Sequence, residues 1–284
     1  MKLPFQANLQ GKTAVITGGG GVLCSAFARA LAQCGASVAV IGRSLGPLEN
    51  VAEDIMSQGG EALAVPADVL DKDSLVRAHE TIFTRFGGCD ILVNGAGGND
   101  GEATTSDEYF DRALLEDGSG KSFFDLPGEA VSRVFGTNLI GVMLSTQVFS
   151  RDMITARQGG CIINISSMNA YRPLTKIPAY SAAKAAVSNF TQWLAVYFAK
   201  TGIRANAIAP GFFSTKQNKD LLWNADGTPT ARSGKILAAT PMGRFGEVDV
   251  LIGALLFLAD ENCSRFITGV TIPVDGGFSA YSGV

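Results

Sequence analysis

The chain has 284 residues and a formal net charge of −3 at pH 7, and 46% of its residues are hydrophobic against 17% charged. This length and composition fit one large α/β domain, exclude a disordered chain and argue against a nucleic-acid partner, which would need a basic stripe. No apolar run reaches the roughly eighteen residues of a membrane span, and Met1 to Gln6 lack a signal-peptide core, so we expect no membrane partner.

Cysteine and histidine usage limits the chemistry further. The five cysteines never stand in Cys-x-x-Cys spacing, which predicts free thiols in a cytoplasmic protein. The one histidine, His79, falls in a predicted helix, and we expect it on the helix surface. A single histidine excludes a histidine-based zinc site of ordinary ligand number and leaves little scope for a Ser-His-Asp hydrolase, so we expect no metal.

Short apolar runs alternate with longer amphipathic segments along the chain. The predicted strands lie at 12–17, 37–41, 61–66, 89–93, 160–165, 203–208 and 269–273. The predicted helices lie at 22–34, 46–58, 72–86, 128–156, 178–201 and 247–260. This alternation predicts a single domain over residues 1–284, an α/β fold with one Rossmann-type doubly wound parallel sheet of about seven strands and helices on both faces.

The first predicted strand runs into a glycine cluster, Gly18 to Gly21. Without side chains, backbone N–H groups can approach a pyrophosphate, and the N-terminus of the following helix favours its charge. The second strand ends at Gly42, where no carboxylate is present to bind a ribose hydroxyl, and Arg43 and Ser44 follow. A guanidinium suits a 2′-phosphate, which favours NADP over NAD, although Arg43 could equally stack on adenine.

Tyr180 and Lys184 lie one helical turn apart, so their side chains project from the same face of the predicted helix. A nearby ammonium favours the phenolate and is expected to lower the pKa of Tyr180 towards the range useful for proton transfer. The Ser167 hydroxyl, at the end of a predicted strand, could hold a carbonyl oxygen. Together these residue types indicate carbonyl reduction.

With the strand ends Asn94-Gly95-Ala96-Gly97, Asn164-Ile165-Ser166-Ser167 and Pro210-Gly211, the pattern resembles the short-chain dehydrogenase/reductase family from about residue 9 to the C-terminus. The resemblance implies a catalytic tetrad of Asn138, Ser167, Tyr180 and Lys184. Tyr180 would carry the proton, Ser167 would bond the substrate oxygen, Lys184 would bind the nicotinamide ribose, and Asn138 would hold a water. The alternative for Asn138 is a helix-kink residue that bonds to backbone.

The same resemblance implies the residues that bind the nucleotide. They are Gly18, Gly20, Gly21, Val22, Leu23, Arg43, Ser44, Asp68, Val69, Asn94, Ala96, Gly97, Tyr180, Lys184, Pro210, Gly211 and Thr215. The family pattern has glycine at the positions of Val22 and Cys24. This departure supports an alternative of another class, a nucleotide-binding sensor of redox state without turnover.

At a finer level the motifs at 17–23, 166–170, 174–180 and 274–284 resemble the D-mannonate oxidoreductase (fructuronate reductase)-like branch. That likeness implies reversible reduction of a keto sugar acid. Asn169, Arg172 and Lys176 are the candidate substrate-binding residues beside Ser167, with Lys216, Gln217 and Asn218 as further candidates. Phe212, Phe213 and Trp223 could equally accept an apolar ketone, and a gluconate- or polyol-type dehydrogenase is the alternative enzyme.

Two segments are longer than ordinary loops. We expect residues 211–242 to form a substrate lid, because long loops at the carboxyl end of a parallel sheet are where ligands bind. Residues 98–127 are interpreted as an insertion that forms an extra wall or a subunit contact, with a purely decorative insertion as the alternative. The family resemblance also implies a homotetramer formed through the helices at 128–156 and 178–201 and the C-terminal segment.

Overall fold

The computed structural model describes residues 7–157, 159–215 and 222–283. Its centre is a seven-stranded sheet in the order β3-β2-β1-β4-β5-β6-β7, with every neighbouring pair parallel. The strands are β1 (Thr13–Thr17), β2 (Ser37–Gly42), β3 (Ala62–Pro66), β4 (Ile91–Asn94), β5 (Gly160–Ile165), β6 (Ile203–Pro210) and β7 (Thr271–Val274). The predicted seven-stranded parallel sheet is confirmed.

Helices connect the strands and cover both faces of the sheet. They are α1 (Val22–Gln33), α2 (Leu45–Ser57), α3 (Lys72–Phe86), α4 (Ala113–Asp117), α5 (Gly128–Phe135), α6 (Gly141–Thr155), α7 (Pro178–Tyr197), α8 (Ala231–Ala238), α9 (Ile252–Ala259) and α10 (Glu261–Ser264). Short 3₁₀ turns lie at Gly101–Ala103, Phe123–Asp125, Met168–Ala170 and Val248–Leu251.

Alternating side chains of the strands feed two separate cores. On β1, Ala14 and Ile16 join the core that includes side chains of α1, α2 and α9, whereas Val15 joins the core that includes side chains of α3, α6 and α7. Successive residues of a strand point to opposite faces, so a sheet buried on both sides needs apolar residues throughout. All five residues of β1 are indeed buried.

The structure differs from the sequence prediction in three places. The helix predicted at 128–156 is interrupted by a π-helical turn at Gly136–Ile140. Helix α8 was not predicted at all, because it lies inside the segment taken as a lid. The surface placement of His79 is wrong: its Nε2 lies 2.9 Å from both carboxylate oxygens of the buried Asp152, which ties α3 to α6.

No helix among the described residues is both long and apolar enough to span a membrane. The five cysteines are free thiols, of which Cys24, Cys89 and Cys161 are buried.

Candidate active site

A cavity of about 780 Å³ opens where the strands of the sheet end at their carboxyl termini. Gly18 after β1, Gly95 after β4, Ile165 on β5 and Pro210 on β6 all line it. The chain order of the strands reverses between β1 and β4, and such a switch point is where open α/β sheets bind ligands. The cavity therefore lies at the position that the topology favours.

The glycine cluster after β1 leaves room for a ligand close to the backbone. Gly18 has φ +69°, and a Cβ there would lie 2.9 Å from the backbone nitrogen of Ala96. A Cβ on Gly20 would lie 2.9 Å from the Pro47 side chain. Side chains at these two positions would be strained or would clash, so the sequence needs glycine there.

Helix α1 begins at Val22, and its N-terminus faces the cavity through Gly20, Gly21, Val22 and Leu23. No side chain caps this end, since Gly21 is the N-cap residue, and the first turn carries no acidic residue. An uncapped helix N-terminus beside a glycine turn attracts an anionic group such as a pyrophosphate. The chain's residues thus fit a dinucleotide cofactor.

Cys24, which replaces a glycine of the family pattern, lies buried in α1 with its sulfur against Gly95. Burial raises the pKa of the Cys24 thiol to about 12, and the nearby Lys184 ammonium opposes that shift. A thiol that stays protonated is a packing group rather than a reactive one.

The other end of the cavity holds the residues that follow β2 and β3. Arg43 and Ser44 are exposed there, Asp68 is half-buried and Val69 is buried. The backbone N–H of Leu70 donates to Asp68 Oδ1 at 2.9 Å, which fixes the carboxylate. This end therefore offers a guanidinium and an oriented carboxylate to the adenosine half of a nucleotide.

Tyr180 and Ser167 meet at the centre of the cavity. The two hydroxyls are hydrogen-bonded to each other, and the backbone N–H of Asn169 donates to Ser167 Oγ at 3.2 Å. Burial raises the pKa of the Tyr180 phenol, and the Ser167 hydrogen bond only partly opposes that rise. The expected lowering of the Tyr180 pKa is therefore wrong in this structure, because desolvation of the phenolate outweighs the favourable interactions.

Lys184 lies one turn further along α7 and is 4% exposed. Its Nζ donates to the backbone carbonyl of Ile165 at 2.8 Å and lies 5.7 Å from the centre of the Tyr180 ring. Burial lowers the pKa of the Lys184 ammonium to about 8. Such a shift in a cleft is typical of functional sites.

Asn138 is fully buried within the π-helical turn. Its Nδ2 donates to the carbonyls of Gly98 at 2.7 Å and Val134 at 2.8 Å, and its Oδ1 accepts from the N–H of Gly98 at 3.1 Å. The side chain therefore bonds to backbone, as the alternative interpretation expected, and it holds the loop after β4 in place. Its neighbour Thr137, rather than Asn138, lines the cavity.

The structure brings almost all of the predicted nucleotide-binding residues to this one cavity. Those that line it are Gly18, Gly20, Gly21, Val22, Leu23, Arg43, Ser44, Asp68, Val69, Ala96, Gly97, Tyr180, Lys184, Pro210, Gly211 and Thr215. Asn94 does not, because its side chain is buried: Nδ2 donates to Thr146 Oγ1 at 3.0 Å and to Asn164 Oδ1 at 2.9 Å. Asn94 is thus part of a polar network that links β4 to β5 and α6.

The predicted substrate residues fare differently. Ser167 lines the cavity, but Asn169, Arg172 and Lys176 do not. Arg172 Nε donates to the carbonyl of Ser279 at 2.9 Å, and Lys176 Nζ donates to the carbonyl of Ser106, so both cations bond to backbone elsewhere. Lys216, Gln217 and Asn218 lie outside the described residues.

The segment 211–242 supplies the wall opposite Tyr180. Phe213, Leu222 and Ile236 are buried along this wall, and Arg232 on α8 adds a cation. The insertion 98–127 adds only Gly98 to the cavity. Sequence reasoning missed Thr137, Leu222, Arg232 and Ile236, since nothing in their local pattern distinguishes them from ordinary helix residues.

Comparison with known proteins agrees with this geometry. The chain matches the short chain dehydrogenase family over residues 12–226 and belongs to that family. It is 56% identical over 282 residues to an uncharacterized oxidoreductase of Bacillus subtilis, UxuB, covering 99% of this chain and 100% of that protein. It is an oxidoreductase that acts on CH–OH groups.

Two solved structures extend the comparison. A Haemophilus influenzae protein provisionally assigned as a D-mannonate oxidoreductase, with bound NAD, has a TM-score of 0.94 and 53% identity over 100% of both chains. A gluconate 5-dehydrogenase from Burkholderia cenocepacia, in complex with NADP and tartrate, has a TM-score of 0.81 and 32% identity, covering 98% of this chain and 99% of that one.

Proposed function

We propose that the protein reversibly reduces the ketone of a keto sugar acid, of the D-fructuronate to D-mannonate type. The observation that carries the proposal is a Ser167–Tyr180–Lys184 site within a chain that is 53% identical to the provisionally assigned D-mannonate oxidoreductase. A nicotinamide nucleotide, when bound, supplies the hydride. Everything else is done by side chains of the chain itself.

Tyr180 acts as the proton donor in the reductive direction. Its raised pKa keeps the phenol protonated near neutral pH, which is the form that can give a proton to a developing alkoxide. Ser167 holds the substrate oxygen beside that phenol, since the Asn169 N–H already occupies an acceptor position on Ser167 Oγ and leaves the hydroxyl hydrogen able to donate. The proton and the oxygen are thereby placed together.

Lys184 supports the proton donor from below. Its ammonium is fixed by the Ile165 carbonyl, and a Cβ on Gly97 would lie 3.2 Å from Lys184 Nζ, so only a glycine there leaves the ammonium accessible from the cavity. A buried positive charge next to Tyr180 stabilises the phenolate that remains after proton transfer. Asn138 positions the loop that carries Gly97 and Gly98.

The nucleotide preference follows from the cavity end near Arg43. We propose NADP(H) as the preferred cofactor, because Arg43 lines the cavity where the family's NAD-specific members carry a carboxylate and this chain has Gly42. NAD(H) is the alternative, favoured by the NAD in the Haemophilus influenzae structure.

A second candidate is a gluconate-type dehydrogenase, favoured by the likeness to the Burkholderia cenocepacia enzyme. Purified protein is mixed with D-fructuronate or 5-ketogluconate and with NADH or NADPH, and the loss of reduced-nicotinamide absorbance is followed. We expect kcat/KM to be at least tenfold higher for D-fructuronate, by analogy with pocket discrimination of about 1–3 kcal/mol. A reversed preference would favour the gluconate-type activity.

We also propose that the protein is a homotetramer. Trp193, Val196 and Tyr197 are exposed along α7, with the rings of Phe190, Trp193 and Tyr197 stacked in series. Exposed aromatic surface of this kind is typical of subunit contacts. Light scattering after size exclusion tests the assembly, and a monomer would contradict it.

A further inference from the structure

Three cationic side chains of the described residues line the cavity: Arg43, Lys184 and Arg232. Arg43 stands at the adenosine end, and Lys184 is buried with its ammonium bonded to the Ile165 carbonyl. Arg232 alone of the three projects from the wall formed by residues 211–242. A negatively charged group of the substrate has no other described cation on that side.

Arg232 stands in an apolar setting. Phe212, Leu222 and Ile236 share the cavity wall with it, and Leu222 and Ile236 pack in one hydrophobic cluster with Phe245. Apolar surroundings lower the effective dielectric around a guanidinium, so an ion pair formed there is stronger than one in open water.

The position of Arg232 on α8 gives it no structural reward. It lies in the first turn, directly after the N-cap Thr230 and Ala231, where the helix dipole disfavours a cation. Among the described residues no carboxylate pairs with it. A cation at an unfavourable helix position and without a protein partner is suited to an external anion.

Lys235, on the same helix, shows the opposite situation. It lies in the last turn, where the dipole favours a cation, and its Nζ is 2.8 Å from Glu108 Oε1. It does not line the cavity. Lys235 is thus accounted for by the fold, whereas Arg232 is not.

We propose that Arg232 binds the carboxylate of the substrate and selects keto acids over uncharged ketones. The inference rests on the proposed function and names the residue that recognises the acid. In an open-chain keto sugar acid the carboxylate and the ketone stand towards opposite ends of the molecule. With the ketone oxygen at Ser167 and Tyr180, the carboxylate extends towards the 211–242 wall, where the planar guanidinium can bind both of its oxygens.

The test compares an acid with its uncharged form. Wild type, Arg232→Gln and the matched control Lys235→Gln are assayed with D-fructuronate and with its methyl ester. We expect Arg232→Gln to lower kcat/KM for the acid by at least about thirtyfold, mainly through KM, and to change the ester by less than about threefold. Lys235→Gln removes the same charge from the same helix and is expected to leave both substrates within about twofold.

Two further measurements keep the test decisive. The Kd for the reduced nucleotide, from its fluorescence, should be the same in wild type and Arg232→Gln, which shows that the variant is folded. Arg232→Lys should recover part of the activity with the acid. Equal losses for acid and ester, or no loss for either, would overturn the role of Arg232 while leaving the proposed function intact. A wild-type enzyme that reduces the ester but not the acid would overturn both.

Discussion

The sulfur of Cys24 occupies the space that a side chain at Gly95 would need. A Cβ built on Gly95 would lie 2.1 Å from Cys24 Sγ and 3.0 Å from the carbonyl oxygen of Thr17. The family pattern has glycine at the position of Cys24, so here α1 carries the larger residue and the loop after β4 carries the smaller one. The close approach of helix and loop beneath the nucleotide is kept.

This relationship predicts a strong coupling between the two positions. Gly95→Ala should lower the free energy of unfolding by about 2–3 kcal/mol, because the added methyl group overpacks a buried contact. In the double variant with Cys24→Gly, the loss should be smaller than the sum of the two single losses by at least about 1 kcal/mol. Urea unfolding of the four proteins measures the cycle; strict additivity would show that the sulfur is not the obstacle.

The role of Tyr180 predicts a separation of binding from turnover. Tyr180→Phe keeps the ring and removes the hydroxyl, so kcat should fall by roughly a thousandfold or more while the Kd for the nucleotide stays within about threefold. Steady-state kinetics and nucleotide fluorescence measure the two quantities. Phe190→Leu on the same helix, away from the cavity, serves as a control; turnover retained by Tyr180→Phe would rule out the proposed acid.

The buried ammonium of Lys184 predicts a pH-dependent cost. Because its pKa falls from 10.5 unfolded to about 8 folded, the folded state binds fewer protons between these values, and unfolding takes a proton up. The cost of burying the charge is fully present below pH 8 and disappears as the pH rises through 8 towards 10.5. Wild type should therefore gain roughly 2–3 kcal/mol relative to Lys184→Met between pH 7 and pH 10.

Urea unfolding at pH 7, 8, 9 and 10 checks this difference. Taking the difference between two variants cancels the cysteines, whose raised pKa values act in both proteins. Lys200→Met, which removes an exposed ammonium, is the control and should differ from wild type equally at every pH. A Lys184→Met difference that is flat with pH would show that the ammonium keeps its ordinary pKa.

The exposed guanidinium of Arg43 predicts cofactor selection. Arg43→Asp replaces a cation by a carboxylate at the end of β2, which repels a 2′-phosphate and can accept from a 2′-hydroxyl. The Kd for NADPH should rise by at least about tenfold relative to that for NADH. Isothermal titration with both nucleotides measures the ratio, and a parallel change in both would remove the 2′-phosphate role; Arg43→Gln separates loss of charge from added repulsion.

How far the sequence predicts the molecule depends on whether the signal is local. The strands are predicted closely, since β2 at Ser37–Gly42 and β5 at Gly160–Ile165 are continuous apolar runs that end in glycine or serine turns. The glycine turn and the Tyr180–Lys184 pair carry their own chemistry, and these residues line one cavity. Short-range patterns of this kind need no knowledge of distant parts of the chain.

Long-range packing defeats the same reasoning. Asn94 stands in a loop motif but turns inward to Asn164 and Thr146, a choice made by neighbouring elements rather than by local sequence. Burial reverses the expected direction of the Tyr180 pKa. Arg172 and Lys176 lie close to Ser167 in sequence yet bond to distant carbonyls, whereas Arg232 reaches the cavity from a helix far along the chain.

The central claim is that this chain transfers a hydride to the ketone of a keto sugar acid. Its most direct test is turnover of D-fructuronate with nucleotide deuterated at the transferable position, followed by NMR of the product. We predict D-mannonate with deuterium on the carbon that carried the ketone. Intact D-fructuronate under conditions where the nucleotide binds, or a product without deuterium at that carbon, would contradict the account.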